Sequence, residues 1–341
     1  MKGMFMLLDG GLPVIVIPMG DPNGIGPEIV VKALADATVA EVCRPLVVGD
    51  AYCLARALRS CGTKLMIHKV DRLSEAIFRP GFLNLVDLAH ADLHELIPGT
   101  VQALAGQCAM DYIRAAVELI ASGQADAMAT APINKESLRA AAVPHIGHTE
   151  ILADLTGTCN PLTLFETHGL RVFFLSRHVS LRQACDLVTR ERVRDGIRQS
   201  CAALKRLGVQ EGTLAVAGLN PHSGEHGLFG DEEMLAIAPA VADCQTEGLD
   251  VTGPISADSV FHLAGIGRYA AVLSLYHDQG HIATKTLDFE RTIALTLGLP
   301  FLRTSVDHGT GLDIAGQGTA SPVSLIQAIR LAAHYTPLYS R

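Results

Sequence analysis

The sequence contains no tryptophan, and aromatic residues make up only 5% of its 341 positions. A core must therefore be packed from Ala, Leu, Val and Ile. Charged residues are also sparse, 18% against 49% hydrophobic. That balance excludes a disordered polar chain and permits a large buried interior. No apolar run reaches the roughly 20 residues of a membrane-spanning helix. The apolar stretch from Met4 to Leu8 stops at Asp9, Gly10 and Gly11, too short for a secretory leader, so residues 1–11 are expected to form a loose leader before the first strand. No Lys/Arg run exceeds two and the net charge is −8, so the basic face of a nucleic-acid binder is missing. A small anionic ligand is still allowed, because a pocket needs only a few local cations. Eight cysteines are scattered without a CxxC pair, which reads as reduced, buried thiols of a cytoplasmic protein.

Glycine, by contrast, is abundant, at 32 residues, and short β-branched runs alternate with helical patterns. Strands are predicted at Leu12–Met19, Pro45–Gly49, Asp126–Thr130, Leu170–Leu175, Leu214–Leu219 and Ala270–Leu275. Helices are predicted from Pro27 to Ala37 and over 101–123, 180–205, 232–247 and 322–334, with short apolar segments at 291–298 and 300–304. This alternation predicts an open α/β sheet. The length suits two lobes with a cleft, expected as 1–134 plus 270–341 and 135–269. Asp21, Asn134, His178, Asn220 with His222, and His277 each follow a predicted strand. Ligand sites of open α/β proteins lie at those ends, which argues for an enzyme.

His178 in Ser-Arg-His-Val-Ser, His222 in Asn-Pro-His-Ser-Gly-Glu and His277 in Tyr-His-Asp-Gln-Gly occupy equivalent positions after three strands. Imidazole is the commonest neutral metal ligand, so the three can converge on one cation; each can equally cap a loop. Asp278 can orient His277 or touch a substrate. Gly20-Asp-Pro-Asn-Gly-Ile-Gly-Pro-Glu28 precedes a helix and reads either as an anion-binding turn or as a plain strand-to-helix turn. Lys135, His148 and Thr149 can grip a phosphate or carboxylate, although Lys135 and Glu150 can also be a surface pair. Between Leu299 and Gly318, Arg303 is a natural anion clamp. His308, Gly309 and Asp313 in the same long loop suit a planar ligand and its sugar hydroxyls.

Together the motifs GDPNGIGPE, TAPINKESL, GHTE, GLNPHSGE, GPISAD, YHDQG and LPFLRTSVDHGT resemble the 4-hydroxythreonine-4-phosphate dehydrogenase family, from Gly20 to about Ile329. HGTGLDIAGQG is similar to the adenine-binding loop of isopropylmalate dehydrogenase, in the same superfamily. The resemblance implies two α/β lobes of the isocitrate/isopropylmalate dehydrogenase-like architecture, with the active site in the cleft and a homodimer sharing it. It implies a divalent metal (Zn, Mg, Mn or Co) on His178, His222 and His277, two from one subunit and the third from its partner. It implies substrate contacts from His148, Thr149, Asp258, Asp278, Lys285 and Arg303. It places NAD along 304–318, with His308, Gly309 and Asp313, the last disfavouring a 2′-phosphate.

Two departures bear on the substrate. Ala294 stands where the family usually carries a substrate-touching asparagine, preceded by Asp288-Phe-Glu-Arg-Thr292. His281 stands where vitamin-pathway members commonly read leucine, a variant similar to the branch acting on D-threonate or D-erythronate 4-phosphate. The chemistry implied is NAD- and metal-dependent oxidation of a phosphorylated four-carbon hydroxy acid and its decarboxylation to dihydroxyacetone phosphate. The base is either Lys285 or a water held by Asp278. The alternatives are 4-hydroxy-L-threonine 4-phosphate, in vitamin B6 synthesis, and a non-phosphorylated dihydrodiol carboxylate.

Overall fold

A computed structural model describes residues 11–339; the expected leader, up to residue 10, lies outside them. Val14–Pro18 (β1) is a β-branched run with all five residues buried, as befits a strand covered on both faces. Gly26–Ala35 (α1) follows with Pro27 at its first turn, where a missing N–H costs nothing. Next come Ala37–Ala40 (α2), Arg44–Gly49 (β2), Ala51–Cys61 (α3), Met66–Lys69 (β3) and Phe82–Asp87 (β4). Ala103–Ala121 (α4), Ala127–Thr130 (β5), Lys135–Ala140 (α5) and His148–Thr156 (α6) complete the first stretch. Gly62 closes α3 in the left-handed conformation, the usual helix stop.

The chain then builds a second unit, Leu162–Leu295. It opens with an antiparallel hairpin, Leu162–Thr167 (β6) and Leu170–Phe174 (β7). Leu181–Asp186 (α7) and Arg190–Arg206 (α8) are separate helices, each with a capping hydroxyl, Ser180 and Thr189; the sequence reading has one long helical stretch there. Leu214–Ala217 (β8), Ala238–Thr246 (α9), Val251–Ile255 (β9), Ala257–Gly265 (α10), Ala271–Ser274 (β10) and His277–Leu287 (α11) follow. In this unit β7, β10, β8 and β9 are neighbours in that order, all parallel.

Ile293–Leu297 (β11) carries the chain back to the first unit, which resumes at Thr296. Arg303–Ser305 (β12) and Val323–Tyr335 (α12) complete it. The first unit's strands run β3-β4-β2-β1-β5-β12, all parallel, with Ile15 opposite Pro45 and Ala127, and Thr304 opposite Ala129. The α/β architecture matches the sequence reading. The unit boundaries fall at 161/162 and 295/296, later than 134/135 and 269/270. Helices α5 and α6 pack on α4, and β10 pairs with β7 and β8, so both segments stay with those partners.

The eight cysteines form no disulfide. Burial pushes the thiols of Cys43, Cys53 and Cys108 up to about 12, leaving them inert core residues. No helix among the described residues is long and apolar enough to cross a membrane.

Candidate active site

All five polar motifs singled out after strands do follow strands. Asp21, Asn134, His178, His222 and His277 lie within five residues of the ends of β1, β5, β7, β8 and β10.

In the first unit the decisive group is Arg303, at the start of β12 and 4% exposed. Its guanidinium donates to Thr130 Oγ1 from Nε (3.1 Å) and Nη2 (2.7 Å), and to Thr296 Oγ1 from Nη1 (3.0 Å). Among the described residues no carboxylate forms an ion pair with it. Burial pushes its pKa down to about 9, opposed by the charge of Glu150, so it is still cationic at neutral pH. A buried cation without a counter-ion is costly, and an anionic ligand is the usual remedy. His148, the first residue of α6, has its Nε2 shielded from solvent and unpartnered. Burial, and then the charge of Arg303, hold its pKa well below the ordinary value; it is a neutral imidazole. Thr149 follows it on the same first turn. Lys135 and Glu150 are exposed and form no ion pair with each other, so the surface-pair reading of those two is not what the structure contains.

The Gly20–Glu28 segment is a structural support. Asp21 and Asn23 are fully buried. Burial raises the pKa of Asp21, opposed by hydrogen bonds, one from the Asn23 backbone N–H at 2.8 Å. Gly20 has φ +80°, and a Cβ there would meet the Pro132 carbonyl at 2.4 Å. A Cβ on Gly24 would meet the Thr310 carbonyl at 2.7 Å, and Ile25 N–H donates to that same oxygen at 2.9 Å. From α1, Lys32 Nζ donates to the carbonyls of Gly318 and Ala320, both at 2.7 Å. The segment thus holds the loop after β12. Within that loop His308 Nδ1 lies 2.9 Å from the Gly309 carbonyl, and the Asp313 side chain is exposed while its carbonyl accepts from Gln317.

In the second unit, α11 sets out four groups. His277, His281 and Lys285 recur every four residues and so share one face, with Asp278 beside the first. His277 Nδ1 is 2.6 Å from Asp278 Oδ1, which leaves Nε2 for a ligand, the arrangement that orients metal-binding histidines. His178 lies near, with ring centroids 6.1 Å apart. Both border an open cavity of about 580 Å3, with Ser180, Gln183, Tyr276 and Asp278. Lys285 Nζ sits 5.2 Å from the Phe289 ring centre, and Asp258 is exposed on the first turn of α10.

His222 occupies an exposed turn in which residues 222–226 all have positive φ. Among the described residues its ligand atoms do not converge with those of His178 and His277. The groups that do lie within 4.8 Å are Asp50, His90 and Cys108, and the exposed Asp92, His94 and Glu95. Asp50 is already fully used: it accepts from His90 N–H (2.9 Å), His90 Nδ1 (2.8 Å) and Tyr112 Oη (2.5 Å). That cluster is an internal clamp on the 88–99 loop.

The sequence reading marked His281 only as a departure bearing on the substrate and did not single out Glu233 or Lys32. His281, 7% exposed, packs its ring on Phe174 (4.7 Å), Phe165 (4.3 Å) and His277 (4.2 Å). Glu233 and Lys32 act through long-range hydrogen bonds. Ala294 belongs to the apolar cluster of Phe165, Val172, Phe174 and Val260, so a polar side chain there would enter a dry layer.

The family model described as "Pyridoxal phosphate biosynthetic protein PdxA" matches residues 41–332. The chain belongs to this family. A relative from Clostridium botulinum is 60% identical over 96% of this chain and 98% of its own length; its name is "Putative D-threonate 4-phosphate dehydrogenase". A Fusobacterium nucleatum protein of the same name is 57% identical over 95% of this chain and 97% of its own. The crystal structure of 4-hydroxythreonine-4-phosphate dehydrogenase from Klebsiella pneumoniae superposes with a TM-score of 0.87 at 43% identity, covering 95% of this chain and 99% of that one. This PdxA family member is a dehydrogenase, an oxidoreductase acting on a CH–OH group.

Proposed function

We propose that the protein oxidises the C3 hydroxyl of D-threonate or D-erythronate 4-phosphate with NAD, and that the 3-keto acid loses carbon dioxide to give dihydroxyacetone phosphate. The observation that carries this reading is Arg303, a buried guanidinium met, among the described residues, by the hydroxyls of Thr130 and Thr296 and by no carboxylate. The names of the relatives 57–60% identical favour the threonate branch over 4-hydroxythreonine phosphate, and His281 is consistent with that choice.

Arg303, His148 and Thr149 receive the phosphate. Arg303 supplies charge, and His148, kept neutral by its surroundings, adds a hydrogen bond without adding repulsion. Asp258, Asp278 and Lys285 contact the remainder of the substrate. His178, His222 and His277 would hold a divalent ion, and the loop with His308, Gly309 and Asp313 would hold NAD. When bound, the ion would supply Lewis-acid chemistry at the hydroxyl and NAD would be the hydride acceptor. The hydroxyl proton passes to Lys285 or to a water on Asp278. Asp278 also fixes the His277 ring through its 2.6 Å contact. The C1–C2 electron pair stays on C2 as carbon dioxide leaves, and C2 is then protonated.

The enzyme works as a homodimer that completes the ligand set. Support comes from the separation of His222 from the His178–His277 pair, and from exposed Leu228, Phe229 and Leu235 beside the His222 turn. Unpaired cysteines throughout suit the reducing cytoplasm. The test is stoichiometry with D-threonate 4-phosphate. Equal yields of NADH and dihydroxyacetone phosphate, and no turnover of unphosphorylated D-threonate, bear the reading out. Turnover of the unphosphorylated acid at the same rate refutes the phosphate site.

A further inference from the structure

The turn that carries His222 is locally strained. His222, Ser223, Gly224, Glu225 and His226 have φ of 52°, 54°, 80°, 43° and 55°, a run of left-handed residues of which only one is glycine. Such conformations persist only where the surroundings over-determine them. Two adjacent carboxylates brace it: Glu232 Oε2 accepts from Asn220 Nδ2 at 2.6 Å, and Glu233 makes the remaining contacts. Glu233 is 2% exposed. Its Oε1 accepts from the backbone N–H of Leu219 and of Asn220, both at 2.7 Å, and its Oε2 accepts from Asn220 Nδ2 at 2.9 Å. The backbone of the turn packs directly on this carboxylate: a Cβ on Gly224 would stand 2.8 Å from Oε2. Glu233 itself opens a π-helical stretch, Glu233–Ile237, a widened turn of the kind found at functional sites.

What this clasp delivers is an exposed imidazole with no partner among the described residues. An unstrained turn would serve if the loop had only to connect β8 to the next helix. We propose that Glu233 is a positioning residue for His222, fixing through Leu219, Asn220 and Gly224 the left-handed turn that presents this imidazole to a divalent metal ion. The inference rests on the proposed role of His222 as a ligand.

The test uses the full-length protein freed of metal and titrated with Co2+ alone, read by calorimetry and by the ligand-field absorption of the bound ion. His222→Ala, Glu233→Gln and Gly224→Ala are compared with the unaltered chain, with thermal melts in parallel. In Glu233→Gln the new amide would face the Asn220 amide, donor against donor. Expected is a fall in Co2+ affinity of about 10- to 100-fold, the range for residues that orient ligands, with the spectrum shifted toward that of His222→Ala. Gly224→Ala moves both readouts in the same direction and tests the idea if Glu233→Gln fails to fold. Co2+ affinity and spectrum unchanged in the Glu233 and Gly224 variants, but altered in His222→Ala, overturn the positioning role alone. An unaltered His222→Ala overturns the ligand role and the inference with it.

Discussion

Arg303 and Thr130 are joined by two hydrogen bonds, of 2.7 and 3.1 Å, to a single hydroxyl oxygen, and neither residue is more than 4% exposed. A guanidinium so placed is held in position but not neutralised. The hydroxyls of Thr130 and Thr296 meet its need for geometry; in the proposed function its charge is met by the substrate's phosphate.

This leads to opposite effects of one substitution. Arg303→Met should raise the KM for the phosphorylated acid by about 10- to 100-fold, the worth of a charged hydrogen bond or two. The same change should raise the Tm of the ligand-free protein by a few degrees, because it removes an unpaired buried charge. Steady-state kinetics and a thermal melt decide it. A purely structural arginine would lower the Tm.

Lys32 reaches from α1 to two carbonyls beyond the glycine-rich loop. Lys32→Met should raise the KM for NAD about tenfold and leave the KM for the phosphorylated acid within about twofold. Equal changes in both constants would show that the lysine supports the fold at large.

His90 lies between Asp50 (2.8 Å) and Asp111 (3.3 Å). Burial acts to lower its pKa, but the hydrogen bonds and charges of the two carboxylates outweigh it, and the pKa is raised. Its folded value exceeds its unfolded one, so its contribution is complete below about 6.5 and is lost as pH rises through the folded value. The Tm difference between the unaltered protein and His90→Gln should therefore be largest near pH 6 and shrink toward alkaline pH. A difference that grows with pH would contradict the clamp.

His277→Ala and His178→Ala should each abolish turnover that added divalent metal restores in the chelator-treated parent. Asp278→Asn, which keeps the contact to His277 but not its charge, should bind metal about 10-fold more weakly and retain some activity. Metal titration of the three variants checks this.

Much of the architecture was legible from pattern alone. The buried runs at Val14–Pro18 and Ala271–Ser274 and the polar residues after them mark strand ends that the structure confirms. Residues paired across long distances in the chain were not legible. Nothing local in Lys32 points to Gly318, 286 positions away, and Glu233 reads as one more acid on a helix. Helix α11 was not assigned from the sequence, and Gly280 in its first turn is a poor helix former. Its helical spacing is what aligns His281 and Lys285 with His277. Gly20–Glu28 left two readings open, and the support of the loop after β12, through Ile25 and Lys32, was visible in neither. The unit boundaries shifted because α5 and α6 are placed by packing on α4, which short polar segments do not advertise.

The identity of the reaction is decided by NADH formation. D-threonate 4-phosphate, D-erythronate 4-phosphate and 4-hydroxy-L-threonine 4-phosphate would each be offered with NAD and Mg2+, Mn2+, Co2+ or Zn2+, with His222→Ala as control. Expected are metal-dependent turnover of a threonate or erythronate phosphate, little with the hydroxythreonine compound, and none in the control. Turnover of 4-hydroxy-L-threonine 4-phosphate alone, or of none of the three with metal bound, would contradict the proposed function.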